Sequence, residues 1–196
     1  MKLISLAEAK EKGTVQLHDL LTPVSVCEKK AATDAFVIRA NLIYAQFVGP
    51  TAAVGAPMFI CGDSAGVPDG TFEDDYDATN LGSTAGTGMG LAGAAAPSAK
   101  TDASDYGWIQ TGGLNLVALT TDGNIDMYEL LITSGTDGEW SGAVDYEAGG
   151  ESMNYPAYHG GSSRVAGVSL AQNDSGSLLN AYQAWLRSFI DGGNLL

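Results

Sequence analysis

Charge is scarce in this chain, and positive charge most of all. Only 16% of its 196 residues are charged, and only nine are Lys or Arg, against roughly 25% charged residues in an ordinary soluble domain. No Lys/Arg stripe is present to neutralise phosphates, and the net charge of −14 repels them, so nucleic acid is not expected as a partner. Histidine and cysteine are equally sparse. His18 and His159 stand alone, and Cys27 and Cys61 form neither a CxxC nor a metal-ligand spacing, so neither a metal nor a cofactor is expected. Spacing alone does not decide whether the two cysteines pair, but their apolar neighbours favour two buried thiols. No apolar run reaches the ~18 residues of a membrane span. The opening Met1-Lys2-Leu3-Ile4-Ser5 is soon interrupted by Glu8, Lys10 and Glu11. It does not read as a signal peptide, and assembly in the cytoplasm is the expectation.

Glycine is what the chain has instead, 26 residues in 196, nearly twice the usual ~7%. Each glycine inside a helix costs about 1 kcal/mol relative to alanine, which argues against a helical bundle. Hydrophobic residues at 45% are too plentiful for a disordered acidic tail. The length suits one domain, or one domain plus an arm. Charge is unevenly spread: residues 1–50 carry six bases and five acids, and residues 51–196 carry three bases and eighteen acids. A near-neutral N-terminal segment thus precedes an acidic body.

The expected fold is mainly β, a sandwich or barrel-like body with long Gly-rich loops, an N-terminal arm and one C-terminal α-helix. Residues 1–35 form the arm. Within it the capping box S-x-x-E of Ser5 and Glu8 predicts a short helix over 5–12, stopped by Gly13. The body, 36–196, opens on the strand-like run 36–48 and continues with a short strand at 57–61. Residues 62–105 show the weakest pattern. Two runs flanking Gly112-Gly113 predict a hairpin over 106–119. Further strands are expected near 125–132 and 165–170. Leu178, Leu179, Tyr182, Trp185, Leu186, Phe189 and Ile190 recur at helical spacing and predict an amphipathic helix over 176–191.

Several motifs tempt a catalytic reading. Gly62-Asp63-Ser64-Ala65-Gly66 matches the nucleophile elbow of serine hydrolases, making Ser64 a remote nucleophile candidate. The following Val67-Pro68-Asp69-Gly70 cannot open the helix such an elbow needs, so a surface turn is the simpler reading. Gly88-Met89-Gly90-Leu91-Ala92-Gly93 matches G-x-G-x-x-G, but neither follows a strand pattern nor opens a helix. The acidic cluster at 73–77 lacks the spacing of a calcium loop and reads as a solvated loop. No catalytic residues are assigned, and the protein is expected not to be an enzyme.

Tyr106-Gly107-Trp108-Ile109-Gln110-Thr111-Gly112-Gly113 carries more. Strand alternation places Tyr106, Trp108 and Gln110 on one face. Preceded by small-residue-rich sequence and followed by strands, this run resembles a segment recurring in virion structural proteins of tailed bacteriophages. The likeness spans about residues 80–120. It implies a non-enzymatic structural protein of the particle, most like a capsid decoration (cement) protein located in the virion. The implied partners are the major capsid protein or other virion subunits, and the chain would be a homo-oligomer. Other readings are a head fibre base, a tail component, a small shell subunit, or a carbohydrate- or cell-surface-binding module. Candidate interface residues are Leu3, Leu6, Tyr44, Phe47, Tyr106, Trp108, Trp185, Phe189 and Ile190, large apolar groups that anchor interfaces when exposed and fill the core when not.

Overall fold

The computed structural model describes residues 2–28, 37–48, 51–62, 68–73, 90–121, 125, 130–133, 138–142, 167–169 and 184–187. These form a mainly β structure. In chain order the elements are β1 (Lys2–Ile4), α1 (Leu6–Ala9), β2 (Pro23–Glu28), β3 (Val37–Phe47), β4 (Pro57–Gly62), β5 (Pro68–Glu73) and β6 (Gly90–Ala95). After these come β7 (Tyr106–Leu114), β8 (Leu130–Thr133), β9 (Trp140–Gly142), β10 (Gly167–Ser169) and β11 (Ala184–Arg187). All eleven described strands belong to one sheet, in the order β1-β2-β3-β5-β4-β6-β7-β11-β10-β8-β9, with β3 also paired to β7.

The antiparallel pair β3·β7 is its centre, with Tyr44 opposite Trp108 and Ile43 opposite Ile109. Eight of the eleven residues of β3 are apolar, and from Leu42 to Phe47 both its faces carry buried side chains. Leu42 and Tyr44 point to one core together with Ile4, Ala9, Val24, Val26 and Trp108. Ile43, Ala45 and Phe47 point to a second core with Met58, Ala95 and Ile109. The alternation of a pleated strand sends successive side chains to opposite sides, so one run supplies two cores. The N-terminal segment shares the first of these. β2 pairs antiparallel with β3 and β1 pairs parallel with β2, which puts Val24 and Val26 fully inside.

Three expectations need correction. The predicted C-terminal helix is a strand where it is described: β11 pairs Trp185, Leu186 and Arg187 antiparallel with Leu114, Gly113 and Gly112. A short apolar run fits either period, and here the open edge of β7 offers backbone partners that an isolated helix lacks. The remainder of 176–191, including Phe189 and Ile190, lies outside the described residues. The predicted hairpin at Gly112-Gly113 is absent, and β7 runs unbroken through both glycines. Its bend is absorbed by a register shift at Asn41/Leu42, which leaves Thr111 without an opposite residue, and by Gly113 at φ 90°, a bulge rather than a turn. Within 62–105, the described residues include two strands, β5 and β6. Strand β6 reads GLAGAA, without the β-branched side chains that mark a strand in sequence.

Candidate functional site

The most fully determined surface feature is the N-terminal segment seated on β3 and β7. Ser5 caps α1, its hydroxyl accepting from the Glu8 N–H at 3.1 Å. The helix is a single turn of four residues, shorter than the expected 5–12, because Lys10 already closes it as C-cap. Past it, Gly13 and Tyr106 exchange backbone hydrogen bonds of 2.7 and 3.0 Å. The Leu17 N–H donates to the Tyr44 phenol at 3.0 Å, and the Leu21 N–H donates to the Tyr44 carbonyl at 2.8 Å.

An ion pair secures the same segment. Lys12 Nζ donates to Asp105 Oδ2 at 2.7 Å and reaches Asp102 Oδ2 at 3.4 Å, while the Asp102 N–H donates to Asp105 Oδ2 at 2.8 Å. Asp105 is 5% exposed. Burial pushes its carboxyl upward, but the Asp102 N–H and the Lys12 ammonium outweigh that and hold it below its ordinary range. Lys12 is held above its ordinary range, first by its hydrogen bond to Asp105.

The aromatic cluster lies beneath. Tyr44 meets Trp108 edge-on at 4.9 Å and stacks with Tyr106 at 6.3 Å. His18 covers the Tyr44–Trp108 pair, with ring centroids 5.0 and 5.2 Å away. Beside it opens a shallow depression of about 520 Å³, lined by Gln16, Leu17, His18, Asp19 and Thr22.

The structure separates the candidate interface residues. Tyr44, Phe47 and Trp108 are core residues, at most 3% exposed. Buried in this way, Tyr44 and Trp108 offer no ring face to a glycan. Tyr106 is half-buried, and Leu6 packs against the first core. Trp185 lies on β11. Leu3 is exposed at 55%, and it is joined by two residues the sequence reading passed over, Val15 at 66% and Leu17 at 74%. No signal in the Val15-Gln16-Leu17-His18 run marks this: Val15, Gln16 and Leu17 are all exposed, and only His18 folds back onto the protein.

The remaining motifs resolve differently. Ser64 and His159 lie outside the described residues, as do residues 74–77 of the acidic cluster. The G-x-G-x-x-G run enters strand β6 at Gly90, where the dinucleotide motif demands a helix. Among the described residues no group of three His, Cys, Asp or Glu is placed to hold a metal ion. No helix among them is long and apolar enough to cross a membrane. Among the described residues neither Cys27 nor Cys61 takes part in a disulfide. Cys61 is buried and Cys27 is half-buried, one degree less than expected. Comparison with family models, curated proteins and solved structures returns no match.

Proposed function

We propose that this chain is a non-enzymatic structural protein of a tailed-phage particle, binding the capsid shell as a decoration protein. The virion assignment rests on the resemblance of Tyr106–Gly113 and its flanks to virion structural proteins. The observation that carries a docking role is the exposure of Val15 and Leu17 on a segment whose neighbours are locked to the core. A rigidly held apolar pair loses little freedom on binding, so more of its burial is realised as affinity. The charge layout supports the same direction of docking, because residues 1–50 are near neutral and residues 51–196 hold eighteen of the 23 acids. The acidic body then faces solvent, and symmetry repeats a modest contact over the shell.

The body is read as barrel-like. The support for this is that β3, β7, β6, β4 and β5 pair in succession and β5 returns to β3 at Gln46 and Phe47. A homo-oligomer on the shell, in contact with the major capsid protein, completes the proposal. Co-sedimentation of the purified chain with empty phage shells tests it. Saturable, stoichiometric binding that raises the temperature of shell disruption is the expected result, and a chain that stays in the supernatant at every shell concentration removes the role.

A further inference from the structure

Strand β1 forms one rim of the sheet. It pairs with β2 on one side, and among the described strands nothing pairs with its other side. Its residues are held differently. Ile4 is packed in the first core at 6% exposure, which fixes the strand in place. Leu3 points to the opposite face, as strand alternation requires, and is 55% exposed. An edge of this kind presents unpaired backbone N–H and C=O groups, a template for a strand from another chain. Neither a proline nor a register shift guards it. The Lys2 side chain lies along its own protein, with Nζ 3.5 Å from His18 Nδ1.

We propose that β1 pairs antiparallel with β1 of a second copy of this chain, about a two-fold axis at Leu3. That register sets Leu3 opposite Leu3 and Lys2 opposite Ile4, so the exposed apolar side chain is covered and no like charges stand opposite one another. Cβ atoms of opposite residues in an antiparallel pair lie about 4.5–5.5 Å apart, within contact for two leucines. A two-fold contact of this kind uses the same surface on both copies. Charge selects where copies can meet. Two chains of −14 repel each other, and the repulsion comes from residues 51–196, with eighteen acids against three bases. Residues 1–50, with six bases against five acids, oppose approach least, and β1 is the rim strand of that segment. Three residues a side make a small contact, in the weak class below about 1,200 Å². The dimer is therefore transient in solution and strengthened where many copies share one surface. This supplies the contact for the homo-oligomer proposed above and rests on that part of the reading alone.

Sedimentation of the full chain at rising concentration, without shells, reads the dimer as a mass that climbs from one chain toward two. Leu3→Asp sets two carboxylates against each other at the axis and keeps the chain monomeric, with its Tm unchanged because Leu3 is outside the core. Disulfide trapping reads the register. Leu3→Cys oxidises to a linked dimer about tenfold faster than Val15→Cys or Leu17→Cys at about 100 μM chain, since a held pair meets at roughly millimolar effective concentration. Chance collision would order them the other way, because Val15 and Leu17 are the more exposed. The parent chain, with Cys27 and Cys61 alone, is the blank. Three results overturn the proposal: a parent that stays monomeric at every concentration, a Leu3→Asp chain that still dimerises, or Val15→Cys or Leu17→Cys linking as fast as Leu3→Cys. With no shells in the experiment, its failure leaves shell binding standing, and a failure of shell binding leaves the dimer standing.

Discussion

Gly93 shows how a single residue can be dictated by its surroundings. A Cβ built there would lie 1.9 Å from the Gln110 carbonyl oxygen of β7, which is backbone and cannot swing aside. Gly93→Ala therefore forces β6 away from β7 and costs about 1–3 kcal/mol, read as a lower urea midpoint with an unchanged m-value. Asp105 makes a second residue-scale case, and its sign follows from its lowered carboxyl. A group whose folded pKa is depressed adds stability that is present above its unfolded value and lost as pH falls through the folded one. The Lys12–Asp105 contribution should hold at neutral pH and fade below about pH 4, the ordinary aspartate range. Acid titration of thermal stability checks this, with Asp105→Asn expected to be less stable at pH 7 and to show a shallower acid slope. Trp108 acts chiefly by packing, its edge-on contact with Tyr44 adding about 0.5–1.5 kcal/mol to the area it buries.

Among the elements, β7 repays close reading. Gly112-Gly113 has the appearance of a hairpin turn in sequence, yet the strand passes through it with one partner on each edge, β3 and β11. Gly113 makes this possible: its φ of 90° is left-handed, and an added Cβ would come within 2.3 Å of the Arg39 carbonyl oxygen. Gly113→Ala should destabilise the protein by about 1–3 kcal/mol and lower exchange protection in β3 and β11 together, whereas a turn glycine would affect neither ladder. α1 sits at the other extreme. Ser5 caps a single turn, and one turn is too short to be stable alone. Ser5→Ala then costs no more than about 1 kcal/mol, seen as a small shift in Tm. Helices this short are held by what they pack on, here Ala9 in the first core.

At the scale of the whole molecule, the two cores on either side of β3 and β7 bind the N-terminal segment and the body together. That arrangement leaves Val15 and Leu17 outside, and a Val15→Asp/Leu17→Asp chain should keep its Tm while losing shell binding in the co-sedimentation assay. Loss of both stability and binding would instead assign the pair a packing role. The β-rich class, the strands at 36–48, 57–61 and 165–170 and the Ser5 cap were legible beforehand, because glycine content, β-branched runs and capping chemistry act locally. Residues 106, 108 and 110 were also placed on one face by strand alternation alone, and the first two do share a core. What the sequence could not display was which apolar residue faces water. Tyr44 and Leu17 look equally fit for an interface, and only the pairing of β3 with β7 buries one and the docking of the N-terminal segment exposes the other. The same holds for β6, whose small residues signal nothing until Gln110 is seen to lie against Gly93, and for β11, whose apolar period suits a helix until β7 offers it an edge. Local backbone preference is written in neighbouring residues. Burial and strand partnership are decided by residues far along the chain, and those meet only once the sheet has formed.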